Sequence, residues 1–175
     1  RHGDPDYIRN QALVSRDRLG VDSIDLFQYH APDDDVPFEE SVQAFAELKD
    51  DGIVDRVGLS NVGVDELETA LDHVEIATVQ NQYNVADRHS DHVLEACEEH
   101  GIGYMAYFPL GAGDLGDLGE TLDDIAAAHD ATRYQIGLAW LLEHSDVTLP
   151  IPGTSSIDHL EENVAASQID LTDDE

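Results

Sequence analysis

A chain of 175 residues can form one domain with a sizeable core, because domains of this length bury roughly 70% of the surface that their unfolded chains expose. Its 39 acidic and 8 basic residues give a formal net charge of −31, which excludes nucleic acid and anionic membranes as expected partners. Hydrophobic residues make up 41% of the chain and fall into regular patches, so the sequence indicates a folded protein with an acidic surface.

The acidic residues are spread along the whole chain, and Lys49 is its single lysine. This pattern favours a cytoplasm with molar salt, where charge repulsion is screened within about 3 Å; an acidic protein from a low-salt organism is the alternative. One cysteine, Cys97, excludes an internal disulfide and favours a reducing compartment. No apolar run approaches the ~20 residues of a membrane span. The chain begins with Arg1 instead of methionine, which either processing or an origin as part of a longer gene product would explain.

Hydrophobic periodicity predicts one opening helix and then a strict alternation of strands and helices. The opening helix covers residues 4–19, and the predicted strands cover residues 24–30, 54–60, 76–80, 102–107 and 147–151. The other predicted helices cover residues 38–51, 64–73, 88–100, 122–129, 134–144 and 157–166. Five strand-then-helix units with buried, β-branched strands predict an α/β fold with a parallel sheet, either open and doubly wound or closed into a barrel.

Glycine spacing gives weak support to the open sheet. Residues 111–116 match the Gly-x-Gly-x-x-Gly pattern of dinucleotide-binding turns, but that pattern belongs after the first strand of a domain and here it stands late in the chain.

Uncharged hydrogen-bonding residues stand at the ends of the predicted strands, where (β/α) barrels place their working residues. They lie within residues 28–30, 58–61, 80–84 and 107–111. Such a rim suits a flat, neutral heteroaromatic ring such as nicotinamide better than a metal ion. His89 and His92 have the spacing of metal ligands but lack a third ligand, so we expect no metal site.

Four motifs in register carry a family resemblance. They are LGVDSIDLFQYH at residues 19–30, GLSN at 58–61, QNQYN at 80–84, and PIPGT at 150–154 with LEEN at 160–163. The sequence resembles the aldo-keto reductases over nearly its whole length. The resemblance implies a (β/α)8 TIM-barrel fold, present here as one incomplete domain over residues 1–175 with five of the eight βα units.

The resemblance also implies roles for individual residues. His30 is expected to hydrogen-bond the substrate carbonyl. Ser60, Asn61 and Gln80 are expected to hold the nicotinamide carboxamide, and Tyr107 to stack on the ring. Further cofactor contacts are expected at Pro109, Leu110, Gly153, Thr154, Ser155, His159, Glu162 and Asn163, with Gly153 and Thr154 at the phosphates and Glu162 and Asn163 at the adenine.

Two departures from the family pattern affect the predicted function. Relatives that prefer NADPH usually carry Arg or Lys after the Pro-Gly-Thr turn, whereas Ser155, Ser156 and His159 stand here. The family resemblance makes NADPH the first expectation, and the lack of Arg or Lys in this stretch makes NADH the alternative. The second departure concerns catalysis. In the family, the catalytic tyrosine, lysine and aspartate belong to strands that would precede residue 24. The single lysine of this chain, Lys49, lies in a predicted helix after the histidine strand and cannot fill that role.

We therefore expect a fragment of an NAD(P)H-dependent reductase of aldehydes and ketones that is inactive alone and acts on a small carbonyl substrate. A reductase-like subunit that binds nucleotide without chemistry is the alternative. A truncated product with unpaired sheet edges is a third reading. The sequence predicts neither the substrate nor the oligomeric state.

Overall fold

The computed structural model describes residues 3–172 and 174–175. The contacts within the chain divide it into two compact units, residues 1–80 and residues 81–175. None of the helices in the described ranges is long and apolar enough to cross a lipid bilayer.

The first unit contains three helices and most of three strands. Its elements are α1 (Pro5–Leu19), β1 (Phe27–Tyr29), α2 (Phe38–Asp50), β2 (Val57–Ser60), α3 (Val64–Leu71) and β3 (Ile76–Gln82), the last two residues of which belong to the second unit. Strand β2 pairs in parallel with β1 and with β3. Helix α1 begins after Asp4, whose carboxylate accepts the Tyr7 backbone N–H, and it ends at Gly20 in the left-handed conformation.

The core of the first unit forms between strand β2 and helix α2. All four residues of β2 are buried, and α2 buries Val42, Phe45 and Leu48, the three residues that the helical periodicity places on one face. The Phe45 ring lies 5.6 Å from the ring of Phe27 and 5.3 Å from that of Tyr29. Apolar burial of this kind supplies most of the stability of a helix packed on a sheet.

The second unit contains two parallel strands and four helices. Its elements are α4 (Asp91–His100), β4 (Gly103–Tyr107), α5 (Gly119–Ala128), α6 (Arg133–His144), β5 (Thr148–Pro150) and α7 (Ile157–Ala165). Strands β4 and β5 pair in parallel, with Met105 opposite Leu149. Helix α6 begins with a capping box in which Thr132 and Gln135 satisfy each other's backbone N–H groups. Leu115, Leu122, Ala126 and Ile136 form a buried apolar cluster.

The predicted α/β fold is confirmed, with parallel pairing of β1 with β2 and of β2 with β3 in the first unit, and of β4 with β5 in the second. Strand and helix ends differ from the prediction by a few residues. Ile24 forms only an isolated bridge with Val54 before β1 begins. Helix α4 begins at Asp91 instead of residue 88, because residues 84–90 fold into turns around the buried Asn84.

Candidate functional site

The predicted site residues of the first unit form one hydrogen-bonded group at the ends of β1, β2 and β3. The Asn61 side-chain amide donates to the His30 carbonyl oxygen at 2.8 Å and to the Ser60 hydroxyl oxygen at 3.0 Å. The Ser60 hydroxyl and the Asn61 backbone N–H both donate to the Gln80 carbonyl oxygen, at 2.7 Å and 3.1 Å. The structure therefore brings His30, Ser60, Asn61 and Gln80 together, and we name these four residues the strand-end group.

Local conformation fixes the strand-end group in place. Asn61 has a φ of 58°, in the left-handed region that asparagine tolerates better than most residues. Ser60 is only 2% exposed, so its hydroxyl is committed to protein partners. These bonds hold the backbone of the neighbouring strand ends together, which makes the group a preformed platform.

Beneath the strand-end group, a glycine lets β2 approach its neighbours closely. A Cβ atom at Gly58 would lie 2.5 Å from the Thr78 Oγ1 and 2.8 Å from the Gln28 Cγ. The Gln28 side chain donates to that same Thr78 hydroxyl oxygen at 3.0 Å across this space. Position 58 thus requires glycine for close packing.

His30 presents an exposed side chain directly after a tightly held tyrosine. Tyr29 is buried, its hydroxyl donates to the Ser41 hydroxyl at 3.2 Å, and Ser41 in turn donates to the Gly3 carbonyl oxygen at 2.6 Å. The Lys49 ammonium group pairs with Glu75 at 2.9 Å. The Tyr29 hydroxyl and the Lys49 ammonium thus both have protein partners.

A groove of about 1270 Å³ lies entirely within the second unit. Eight predicted cofactor residues line it: Tyr107, Pro109, Leu110, Gly153, Thr154, His159, Glu162 and Asn163. Ser155 is exposed and is not among the lining residues. The groove is large enough for a nucleotide cofactor, because ligand pockets commonly measure roughly 300–1,000 Å³.

The turn after β4 depends on a buried asparagine that sequence reasoning did not single out. The Asn84 side chain is 2% exposed and donates to the Phe108 carbonyl oxygen at 3.0 Å. Its Oδ1 accepts the backbone N–H groups of Ala86 and Asp87, both at 2.9 Å. Phe108 itself has a φ of 50°. Asn84 therefore stabilises an unfavourable backbone conformation next to Tyr107, in the wall of the groove.

The turn after β5 places helix α7 beside the groove. The Thr154 hydroxyl oxygen accepts the Ser156 N–H at 3.1 Å, and the Ser156 hydroxyl oxygen accepts the His159 N–H at 3.3 Å. These bonds cap the first turn of α7. Backbone N–H groups at a helix N-terminus favour anions, and Gly153 and Thr154, where phosphate contacts are predicted, lie just before this one.

The structure adds charged residues to the groove that the sequence did not reveal. Arg133, at the first position of α6, lines the groove together with Asp123 from α5. The Arg133 Nε donates to the Asp123 Oδ1 at 2.8 Å, and Nη2 donates to the other carboxylate oxygen. Neither residue stands in one of the four motifs.

The most perturbed titratable groups of the second unit lie outside the groove lining. Burial raises the pKa of Tyr83, and so does its hydroxyl's hydrogen bond to the Asp91 carboxylate. Burial raises the pKa of the Cys97 thiol to about 12, so this sulfur is uncharged at neutral pH. Within residues 3–172 and 174–175, no three potential metal ligands gather, and His89 instead contacts Asp87 at 2.6 Å.

Comparison with known proteins decides the family. The model of the aldo/keto reductase family matches residues 1–175. The chain belongs to the aldo/keto reductase family. An aldo-keto reductase crystal structure with the inhibitor epalrestat superposes with a TM-score of 0.91 at 34% identity, covering 99% of this chain and 65% of that one. This likeness confirms the expected TIM-barrel type of fold, of which the chain contains a part.

Other aldo/keto reductase relatives match a similar stretch. The chain is 42% identical over 170 residues to an uncharacterized oxidoreductase of Schizosaccharomyces pombe, covering 97% of this chain and 56% of that protein. It is 41% identical over 162 residues to pyridoxine 4-dehydrogenase of Escherichia coli, covering 89% of this chain and again 56% of the relative. A Klebsiella pneumoniae aldo/keto reductase crystallised with NADP and acetate superposes with a TM-score of 0.83 at 31% identity, over 96% of this chain and 62% of that one. The chain thus spans little more than half the length of these two sequence relatives.

Proposed function

We propose that the chain supplies the cofactor-binding part of an NAD(P)H-dependent reductase of aldehydes and ketones, and that residues 1–175 are one part of its barrel domain. The groove of the second unit carries this proposal, because eight of the residues expected to contact the cofactor line it. A Klebsiella pneumoniae relative crystallised with NADPH gives further support.

The residues present fit such a cofactor by their chemistry. Gly153 and Thr154 stand just before the capped N-terminus of α7, which offers N–H groups to phosphate oxygens. Glu162 and Asn163 offer oxygen and amide groups for the adenine edge, and Tyr107 offers an aromatic face for the nicotinamide ring. When bound, the cofactor would supply a hydride, which no side chain can provide.

The strand-end group would act on the carbonyl side of the reaction. The exposed imidazole of His30 would donate a hydrogen bond to the carbonyl oxygen of a small aldehyde or ketone and orient it. The buried Ser60 and the amide of Asn61 would hold the strand ends that carry His30 and Gln80.

We also propose that the 175-residue chain binds the cofactor without turning over substrate. The Tyr29 hydroxyl is buried against Ser41, and the Lys49 ammonium pairs with Glu75. Neither group is placed to protonate a carbonyl oxygen beside His30. The alternative is a subunit that binds nucleotide but catalyses no reaction, which the lack of a proton donor beside His30 would also explain.

Titration of the 175-residue chain with NADPH and NADH tests this proposal. We expect saturable quenching of Trp140 or enhancement of cofactor fluorescence, and no carbonyl-dependent loss of the reduced-nicotinamide absorbance. Gly153→Val should abolish binding, because a branched side chain would cover the N–H groups expected at the phosphates. If the folded chain bound neither cofactor, the cofactor role would be refuted. If it reduced a carbonyl substrate, the proposal that it lacks a proton donor would be refuted.

We infer further that the protein works in a high-salt cytoplasm. The net charge of −31 supports this, because repulsion among exposed carboxylates destabilises a compact chain until salt screens it. The free energy of unfolding should rise steadily between dilute buffer and molar KCl. A stability that is independent of salt would contradict this inference.

A further inference from the structure

One positive charge stands out in the acidic groove. Arg133 is the one arginine or lysine among the described residues that line it, and Asp123 and Glu162 add negative charge. The guanidinium contacts Asp123 through Nε and Nη2. Because a guanidinium carries five N–H bonds, this contact leaves the two on Nη1 and one on Nη2 for a further acceptor.

Two features keep that guanidinium accessible. The side chains of Arg133 and Asp123 are 39% and 51% exposed, so solvent reaches the pair and the side of the guanidinium that faces away from Asp123. A Cβ atom at Gly119 would lie only 3.0 Å from the Arg133 Nη1. The missing side chain at Gly119 thus leaves room for the unbonded edge of the guanidinium.

The position of Arg133 along the groove identifies the part of the cofactor that it would contact. Gln135 lies two residues farther along α6, and its side-chain amide donates to the Glu162 carbonyl oxygen at 3.1 Å. The first turn of α6, which begins with Arg133, therefore lies beside Glu162, and Arg133 lines the same groove as Glu162 and Asn163, which are expected to contact adenine. The phosphate that distinguishes NADPH from NADH is attached to the ribose at this adenosine end.

We propose that Arg133 binds the 2′-phosphate of NADPH and sets the cofactor preference, an inference that rests on the proposed function above. The stretch after Gly153 offers the hydroxyls of Ser155 and Ser156 but no permanent cation. A guanidinium from the neighbouring helix supplies the missing charge and can bind phosphate through two N–H groups at once. Asp123 orients the guanidinium and weakens phosphate binding through its own negative charge.

Affinity measurements on single variants of the 175-residue chain test this role. Arg133→Gln should weaken NADPH binding by about tenfold to a hundredfold, the usual worth of hydrogen bonds to a charged group, and leave NADH binding unchanged. Asp123→Asn should tighten NADPH binding and leave NADH binding unchanged. Arg18→Gln, an exposed site at the end of α1, is the control for the loss of one charge.

Salt dependence provides a readout that a purely structural role would not change. The ratio of NADPH to NADH affinity should fall with rising KCl in the unmodified chain and stay flat in Arg133→Gln, because screening weakens charge pairing at an exposed site.

The outcomes separate this inference from the proposed function. If Arg133→Gln binds NADPH as tightly as the unmodified chain, or loses both cofactors equally, the assignment of Arg133 is overturned while cofactor binding stands. If the folded, unmodified chain binds neither NADPH nor NADH, the proposed function itself fails, and the assignment of Arg133 falls with it.

Discussion

The strand-end group and the groove hold their polar residues in different ways. In the strand-end group, Ser60 is 2% exposed and Asn61 donates to two protein oxygens, so the polar atoms are committed before any ligand arrives. In the groove, Thr154, His159 and Glu162 are exposed. The same contrast appears in the helices, since α2 buries five residues and α7 buries none.

This difference shows how the polar groups of each region are positioned. The strand-end group is preorganised by the sheet, which suits positioning of a reacting carbonyl within a few tenths of an ångström. The groove depends on exposed side chains, so affinity there should respond to single substitutions and to salt more than stability does. The first three of the four predictions below test this contrast, and all four are given in order of decreasing effect.

The largest effect is expected from added volume beneath the strand-end group. Gly58→Val should lower the free energy of unfolding by about 1–3 kcal/mol, because its side chain would collide with Thr78 and Gln28. Urea unfolding followed by circular dichroism measures this. Gly153→Ala in the groove is the control, since a Cβ atom there meets nothing within 4 Å. If both variants lost the same free energy of unfolding, the proposed difference between the strand-end group and the groove would be wrong.

A smaller loss of stability is expected at Asn61. Asn61→Ala should cost about 1–2 kcal/mol, because alanine lacks the amide and disfavours the left-handed φ of 58°. Asn61→Gly loses the same hydrogen bonds but accepts this φ, so it should be more stable than Asn61→Ala under identical urea titration. The reverse order would mean that backbone strain does not limit this position.

At Tyr107 we expect a loss of affinity for NADPH without a matching loss of folding stability. Tyr107→Ala should weaken NADPH binding by about threefold to tenfold, the worth of one aromatic stacking contact, whereas Tyr107→Phe should bind nearly as well. Fluorescence titration with NADPH gives both affinities. If the phenylalanine variant binds as poorly as the alanine variant, the hydroxyl group and not the ring makes the contact.

The smallest effect is a change in acid sensitivity. The His89 side chain, more than any other contact, lowers the pKa of Asp87, so Asp87 stabilises the fold above its ordinary pKa near about 4. That contribution is lost as the pH falls through the lowered pKa. Asp87→Asn should therefore lose stability at pH 6 and show a shallower decline below about pH 4. Asp72→Asn, at the exposed end of α3, controls for charge; an identical pH profile in both variants would contradict this prediction.

Much of the fold could be predicted from the sequence because the signals are local. Among the described residues, apolar periodicity located the seven α-helices and the five strands but not the three short 3-10 helices, and polar residues at strand ends pointed to Ser60, Asn61 and Gln80. Element ends were less predictable where a tertiary contact decides them, as for α4, which begins after the turns around Asn84.

The sequence did not reveal the roles of Arg133 and Asn84 at the groove, because these roles depend on tertiary contacts. Arg133 stands twenty residues before Gly153 and belongs to no motif, so only the folded chain brings it to the same groove. Asn84 lies within a motif, but its sequence position does not reveal that its amide supports Phe108. Ser155, in contrast, directly follows the motif that ends at Thr154 and was predicted to contact the cofactor, yet it is not among the lining residues.

The contacts of the Asn84 side chain also determine what deamidation of this residue would do to the protein. It must donate to one carbonyl oxygen and accept from two N–H groups within a buried space, and the amide of asparagine does both at this length. Spontaneous hydrolysis of that amide would leave a carboxylate facing the Phe108 carbonyl oxygen, two acceptors with no hydrogen between them. This single, slow chemical change would therefore remodel the wall of the groove.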